Sequence, residues 1–235
     1  MPSPCDTLPI VETIGVTRIF GTDGTVTALD DVSISVYPGE FVAIQGPSGC
    51  GKSTLLHLLG GLDTPTAGTI RFAGVDLATL TDNERTRLRL RSIGIVLPIV
   101  ELVPTLTIWE NVAISLLLDG RAMADGRARA TELLDSVKLS HRTHTVASRL
   151  STGEAQRVAV ARALYNDPKC VLADEPTSFL DSVRSDEIVD LLRTLASDGH
   201  TIVMATHDAR AAAFADRSIR LLDGRVVELH AVRDG

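Results

Sequence analysis

The chain has 235 residues, of which 44% are hydrophobic, 23% charged and 3% aromatic, and 23 basic against 30 acidic side chains give a net charge of −7. This composition excludes a mainly disordered chain, and the length suits one α/β domain with an inserted lobe. The acidic balance disfavours a general nucleic-acid binder, which would carry a basic face. Three separated cysteines, Cys5, Cys50 and Cys170, fit neither a disulfide framework nor a zinc site, so we expect a reducing, cytoplasmic compartment.

The sequence predicts no membrane span and no secretory leader. Its apolar stretches fall far short of the roughly 20 residues that a spanning helix needs. Residues 1–6 have neither the basic start nor the apolar run of a signal peptide. We therefore expect any association with a membrane to come through a partner protein.

Along the chain, apolar runs of strand length alternate with helical patterns, which predicts an α/β fold with a largely parallel sheet. Residues 26–36 alternate as half-buried antiparallel strands do. We predict an α/β core from residues 10–95 and 166–230, with residues 96–165 inserted as a helical lobe. The other predicted elements are buried strands at 41–44, 170–173 and 201–205 and helices at 54–59, 82–91 and 121–139.

A glycine-rich loop follows the strand at 41–44 and matches G-x-x-x-x-G-K-[ST], with a helix after it, which is the context of a phosphate-binding P-loop. Glycines let the backbone N–H groups wrap around phosphate oxygens, and the helix N-terminus adds partial positive charge. We expect Lys52 to reach the β- and γ-phosphates and Ser53 to bind Mg²⁺. The alternative is a glycine-rich turn without a ligand. The loop residues are Gly46, Pro47, Ser48, Gly49, Cys50, Gly51, Lys52 and Ser53.

Two adjacent acids, Asp174 and Glu175, follow the apolar run at 170–173. One carboxylate can hold Mg²⁺ through water while its neighbour orients or deprotonates an attacking water, which suits phosphoryl transfer. Such a pair is common on protein surfaces, but its position downstream of a P-loop favours a site.

Residues 150–154, Leu-Ser-Thr-Gly-Glu, are similar to the signature Leu-Ser-Gly-Gly-Gln, and an Ala-Thr-His-Asp string follows the strand at 201–205. With the P-loop and the acidic pair, this ordered set resembles the nucleotide-binding subunit of ABC transporters over about residues 10–230. The strings at 59–65 and 172–177 are most similar to the subgroup that serves lipoprotein-release, macrolide-export and cell-division permeases.

The resemblance implies a P-loop NTPase (RecA-like) core with an antiparallel β subdomain and an inserted helical lobe. It implies that two such domains, identical or different, close head to tail around ATP, so that Ser151 and Gly153 of one touch the γ-phosphate held by the other. Glu175 would be the general base and His207 would hold the γ-phosphate and the attacking water. The resemblance also gives nucleotide contacts to Phe20, which would stack on adenine, Thr54 and Asp181.

The implied partners are a membrane permease and a second ATP-binding domain, with ATP and Mg²⁺ as cofactors and no nucleic acid. The chain would then lie at the inner face of the plasma membrane. The resemblance places the permease contact near residues 98–107.

The sequence departs from the family pattern at the Mg²⁺ site and in the signature. Pro98 stands where the family has a glutamine that contacts Mg²⁺, and no shift of register restores it, because Gln45 and Gln156 are the glutamines of the chain. Proline has no side-chain acceptor. Thr152 replaces a signature glycine and Glu154 replaces the signature glutamine.

Two main functions stay open on these residues. The first is an ATPase that drives a permease, and the second is a weakly hydrolysing regulatory ATP-binding module. A P-loop kinase or GTPase is a third class, but the chain has no guanine-specifying Asn-Lys-x-Asp string. We interpret the arginines at 85, 87, 89 and 91 as a solvated helix face rather than a nucleic-acid patch.

Overall fold

The computed structural model describes residues 8–21 and 25–231, so Cys5 and the predictions for residues 1–6 lie outside the described residues. The strands are β1 (Val11–Phe20), β2 (Val26–Val36), β3 (Phe41–Gln45), β4 (Ala67–Phe72), β5 (Val75–Asp76), β6 (Ile93–Val96), β7 (Cys170–Asp174), β8 (Thr201–Thr206), β9 (Arg217–Leu222) and β10 (Arg225–Ala231). The helices are α1 (Lys52–Leu59), α2 (Asp82–Ser92), α3 (Ile108–Ala113), α4 (Ser115–Leu118), α5 (Arg127–Ser136), α6 (Thr152–Leu164), α7 (Ser182–Ser197) and α8 (Ala209–Ala212). Short 3₁₀ turns lie at Leu77–Thr79, Met123–Gly126, Ser140–Arg142 and Ala147–Arg149.

The central sheet has the strand order β10-β9-β3-β8-β7-β6. Its pairs are parallel except for β9 and β10. A parallel sheet is covered on both faces, which is why its strands read as continuous apolar runs. In β3, Phe41 and Ala43 belong to one hydrophobic cluster and Val42 and Ile44 to the other. The predicted α/β fold with a largely parallel sheet is confirmed.

A second sheet is antiparallel, with the order β2-β1-β4-β5. Val36 of β2 lies opposite Val11 of β1, and both side chains are buried. These residues join the same cluster as Leu55 of α1. The predicted strand at 26–36 and the antiparallel subdomain are confirmed.

The helices α3, α4, α5 and α6 lie between β6 and β7 in the chain and cover one face of the central sheet. Their buried side chains Ile108, Leu134 and Val158 belong to the same cluster as Val171 and Met204 of the sheet. The lobe and this sheet face therefore share one hydrophobic core. The division of the chain at residues 96 and 165 into lobe and α/β core stays a prediction.

The helix α5 begins later than the pattern at 121–139 predicted. Gly120 has φ 74°, and the chain then turns through a 3₁₀ segment at Met123–Gly126. Gly126 is tightly packed, since a Cβ there would lie 2.4 Å from the hydroxyl of Tyr165. This close approach ends the turn before α5 starts.

The arginine face of α2 is only partly solvated, so that interpretation was incomplete. Arg87 and Arg91 are exposed. Arg89 is half-buried instead, and it donates a hydrogen bond of 2.7 Å to the carbonyl of Gly61. Its guanidinium ties α2 to the end of α1 rather than facing solvent.

The topology brings three functional segments to one edge of the sheet. The strands β3, β8 and β7 are parallel neighbours, so their carboxyl ends lie side by side. The P-loop follows β3, the acidic pair ends β7, and His207 follows β8. Ligands of α/β sheets bind at this edge.

Candidate nucleotide site

The P-loop depends on its glycines for steric reasons. Gly49 and Gly51 have φ 80° and 106°, a region that other residues rarely adopt. A Cβ at Gly51 would lie 2.3 Å from the carbonyl oxygen of Ala28, and one at Gly46 would lie 2.2 Å from that of Leu221. The loop is therefore a close-fitting backbone turn. Gly51 is the N-cap of α1 and supplies no side-chain cap, so the first N–H groups of the helix point at the loop's concave side.

Lys52 lies inside this loop and is only 5% exposed. Its Nζ donates hydrogen bonds of 2.8 and 3.0 Å to the carbonyl oxygens of Gly46 and Pro47. The same Nζ is 3.4 Å from Oε1 of Glu175. The ammonium group is thus held within the loop by acceptors that a phosphate oxygen could replace.

Asp174 is a buried carboxylate, 5% exposed, and its Oδ1 has no hydrogen-bond partner among the described residues. Burial raises the pKa of Asp174, and the nearby Ser53 hydroxyl opposes that rise. Burying a carboxylate oxygen without a partner costs free energy, unless a cation binds it. Asp174 and Ser53 together offer the hard oxygen donors that Mg²⁺ prefers, so these residues fit the ion.

The described residues contain no cluster of three or more His, Cys, Asp or Glu side chains that could hold a metal.

Glu175 joins the three segments at the sheet edge. Its backbone has φ 42°, and its N–H donates to the carbonyl of Ala205 on β8 at 2.9 Å. Its Oε2 lies 2.8 Å from Nδ1 of His207 and accepts a 3.2 Å hydrogen bond from the Ser178 hydroxyl. The carboxylate is 15% exposed and the His207 side chain 60% exposed, so the pair faces solvent through the histidine.

The signature forms the start of α6. Ser151 is the N-cap, and it makes a capping box with Glu154. Oε2 of Glu154 accepts hydrogen bonds of 2.9 Å from both the N–H and the hydroxyl of Ser151. Oε1 accepts a short hydrogen bond from Arg142. Burial opposes ionisation of Glu154, but the bonds from Ser151 and Arg142 outweigh it and lower its pKa to about 2.

Asp181 is close to the signature because α7 begins beside α6. Its carboxylate accepts a 3.0 Å hydrogen bond from the N–H of Arg184 and caps α7. The Arg184 side chain passes over Gly153. A Cβ added at Gly153 would lie 3.1 Å from the Cδ of Arg184. Ser151, Gly153 and Asp181 thus line one cavity of about 460 Å³.

Phe20 lies at the end of β1 and is 39% exposed. The guanidinium of Arg18 sits over its ring, 4.4 Å from the ring centre, and Arg18 is also paired with Asp63 at 2.8 Å. One face of the ring is therefore covered by a cation.

The structure places two of the departures from the family pattern in one cavity. Pro98 and Thr152 both line a cavity of about 460 Å³, together with Phe179 and Gln156. Gln156 is 2% exposed, and its Nε2 has no hydrogen-bond partner among the described residues. No role in the site was predicted for Gln156 or Arg142 from the sequence. The one sequence feature that indicated a cation nearby was Glu154, which replaces the signature glutamine and contacts Arg142.

None of the helices in the described ranges is long and apolar enough to cross a membrane.

The parallel sheet, the P-loop and the acidic pair at its edge define a P-loop nucleotide-binding cassette. A sequence model of the family described as "ABC transporter" matches residues 29–178. An uncharacterized ABC transporter ATP-binding protein of Methanocaldococcus jannaschii is 41% identical over 221 residues, which cover 94% of this chain and 99% of that protein. The chain therefore belongs to the ATP-binding cassettes of the ABC transporter family, a class of ATPases, and the predicted family is confirmed.

A macrolide export ATP-binding/permease protein of Marinobacter nauticus is 45% identical over 221 residues. The match covers 94% of this chain but 34% of the relative, so the chain spans about a third of the length of such relatives. These names agree with the predicted macrolide-export subgroup.

The solved dimeric cassette MJ0796, bound to ADP and Pi in a post-hydrolysis state, is 39% identical with a TM-score of 0.86, covering 96% of this chain and all of that one. Cassettes of this family bind ATP, form dimers and work with membrane permeases.

Proposed function

We propose that the chain binds ATP and Mg²⁺ at the P-loop, hydrolyses the ATP within a pair of cassettes, and so drives a membrane permease. The observation that carries the proposal is the contact of Glu175 with both Lys52 and His207 at one edge of the sheet. These three side chains come from three different segments of the chain.

In this proposal the P-loop binds the phosphates of ATP. Lys52 exchanges the carbonyls of Gly46 and Pro47 for oxygens of the β- and γ-phosphates, while backbone N–H groups of the loop and α1 donate to the others. Thr54 follows in the first turn of α1. Ser53 and Asp174 would hold Mg²⁺, which neutralises developing phosphate charge when bound.

The adenine would stack on Phe20. Arg18 covers one face of that ring, so the base would use the other face or displace the guanidinium. Residues 22–24 follow shortly after Phe20 in the sequence and lie outside the described residues.

Glu175 would take the proton of the attacking water. Its Oε1 faces Lys52 and its Oε2 faces His207 and Ser178, so both carboxylate oxygens have partners within the chain. When a phosphate pairs with Lys52, the Oε1 of Glu175 loses that contact and becomes available to the attacking water. His207 then holds Glu175 from one side and the γ-phosphate from the other.

The second half of the site would come from a second cassette. Ser151 and Gly153 lie at the N-terminus of α6, where helix N–H groups bind anions, and Asp181 borders the same cavity. The similarity to a solved dimeric cassette supports pairing, and in this proposal the two cassettes pair head to tail. The partner is either a second copy or a related domain.

A groove of about 1070 Å³ supports a permease contact. Its wall is apolar at Ile95 and Leu118, and Arg87 and Arg91 stand along it. Arg162, which also lines it, donates to the carbonyl of Glu101, so the groove borders the segment 98–107. Apolar walls with an arginine rim fit an amphipathic helix with acidic side chains. In this proposal that helix belongs to the permease, and the chain lies at the inner face of the plasma membrane.

The base assignment is tested with Glu175→Gln, which keeps the shape but cannot accept the proton. We expect kcat for ATP to fall by roughly 10²–10³-fold with ATP affinity retained. The matched control is Glu132→Gln, an exposed change on α5 that leaves turnover unaltered. An active parent whose turnover survives Glu175→Gln contradicts the assignment.

A weakly hydrolysing regulatory module is the second candidate. The observation in its favour is that Pro98 and Thr152 line one cavity, so both departures affect the contact between the loop after β6 and the start of α6. The side chain of Pro98 also offers no oxygen to Mg²⁺.

A further inference from the structure

We propose that Arg142 is a positioning residue for the signature half of the ATP site. Its guanidinium neutralises and orients Glu154, which allows a carboxylate to stand at the first turn of α6, beside the place where a partner's ATP would dock. The inference rests on the proposed function, because it concerns the same site.

Both oxygens of Glu154 are engaged, and they serve different partners. Oε2 holds the N–H and the hydroxyl of Ser151, and Oε1 holds Arg142. A second guanidinium nitrogen of Arg142 donates to the carbonyl of Arg149 at 3.4 Å. Arg142 therefore links the backbone at Arg149, just before the signature, to Glu154, which forms the capping box of α6.

The charges around the signature cavity make this pair necessary. The cavity is lined by three acids, Glu154, Asp181 and Glu187, and by two arginines, Arg157 and Arg184. Arg157 pairs with Glu187 at 3.0 Å and Arg184 pairs with Asp181 at 3.1 Å. Arg157 and Arg184 are thus each paired with one acid, and Glu154 is the third acid, which neither of these arginines neutralises.

Arg142 does not line this cavity, but it pairs with Glu154 and supplies the third cation. Without it, Glu154 would leave one net negative charge next to an incoming triphosphate, and the like charges would repel. A glutamine at this position, as in the signature that the sequence resembles, would need no such partner. Arg142 and Glu154 therefore act as a unit in this chain.

The test compares Arg142→Ala, Glu154→Gln and the double variant by ATP-dependent dimerisation, measured by light scattering with Mg-ATP. Arg142→Ala should raise the ATP concentration for half-maximal dimerisation by about tenfold. Glu154→Gln removes the charge that Arg142 neutralises, so in the Glu154→Gln background Arg142→Ala should change that concentration by no more than about threefold. Fluorescent-ATP binding to the monomer should change less than about twofold in all three, because the P-loop is untouched.

Arg142→Gln keeps a donor for Glu154 and removes the charge, so it should show the same defect and the same rescue even where the alanine variant folds poorly. Arg129→Ala, an exposed arginine on α5, is the matched control. The inference is overturned if Arg142→Gln dimerises like the parent, or if Glu154→Gln fails to rescue it. A parent chain that binds no ATP contradicts the proposed function itself and is distinguished by the monomer measurement.

Discussion

The N-termini of α1 and α6 are both proposed to bind phosphate, but they differ in how they are capped. At α1 the N-cap is Gly51, which supplies no side-chain cap, and the loop is held open by glycines. At α6 the N-cap is Ser151, and a complete capping box with Glu154 satisfies the helix end. The start of α1 therefore has no side-chain cap and lies beside the buried Lys52, whereas the start of α6 is capped by its own side chains.

This difference indicates an order of events. The P-loop end is pre-organised, so ATP needs only to replace the carbonyl contacts of Lys52. The signature end must redirect the Ser151 hydroxyl from Glu154 toward a phosphate oxygen. We therefore expect changes at the P-loop to act on ATP binding by the single chain, and changes at the signature to act on closure of the pair.

The strongest test of the comparison is Lys52→Ala. This change removes the buried cation that faces both the phosphates and Glu175, so we expect kcat/KM for ATP to fall by roughly 10³-fold. Binding of a fluorescent ATP analogue to the monomer should weaken as well. The exposed Lys169→Ala is the control, and wild-type affinity and rate in Lys52→Ala would remove the P-loop assignment.

A second test separates chemistry from binding on the P-loop side. His207→Ala removes the partner of Glu175 Oε2, and we expect kcat to fall by about 10²-fold while monomer ATP affinity stays the same. Single-turnover hydrolysis and equilibrium binding measure the two quantities. His230→Ala, another exposed histidine, should match the parent, and a parallel loss of affinity in His207→Ala would argue against the assigned role.

Local patterns were sufficient to predict much of the P-loop half of this site. The glycines and Lys52 form one contiguous string, and the strands at 41–44 and 170–173 are short, continuous apolar runs. The resemblance to the family supplied the roles of Glu175 and His207. Their contact is explained by the structure, in which they follow the neighbouring parallel strands β7 and β8. The roles of these residues stay predictions.

Tertiary contacts were not predictable in the same way. Arg142 and Glu154 are separated by a 3₁₀ turn and a loop, and Pro98 and Thr152 by more of the lobe, so no helical or strand period relates them. The position of Arg89 against Gly61 depends on how α2 packs beside α1. Such contacts depend on packing geometry, which a single sequence does not record.

A third test acts on the signature side. Ser151→Ala removes the N-cap oxygen and the hydroxyl proposed to reach the partner's ATP, so we expect a loss of about 1 kcal/mol in the free energy of unfolding. The ATP concentration for half-maximal dimerisation should rise about tenfold, with monomer ATP binding unchanged. Ser151→Thr keeps the cap and should retain most of the activity. Weakened ATP binding by the monomeric Ser151→Ala chain would contradict the division between the two ends.

The smallest expected effect concerns Pro98, on the signature side of the chain. Pro98 lines the cavity beside Thr152 and Gln156, and the Nε2 of Gln156 has no partner in the part of the chain that the structure describes. Pro98→Gln adds a side-chain oxygen that is available either to Mg²⁺ or to this Nε2. We expect Mg²⁺-dependent turnover to rise roughly threefold if the missing oxygen limits it, with most of the gain in kcat. Pro98→Ala removes the ring without adding an acceptor and separates loop flexibility from ligation. A rate that is unchanged in both variants would show that Pro98 is neutral, because the contacts of Lys52, Glu175 and His207 then suffice for hydrolysis.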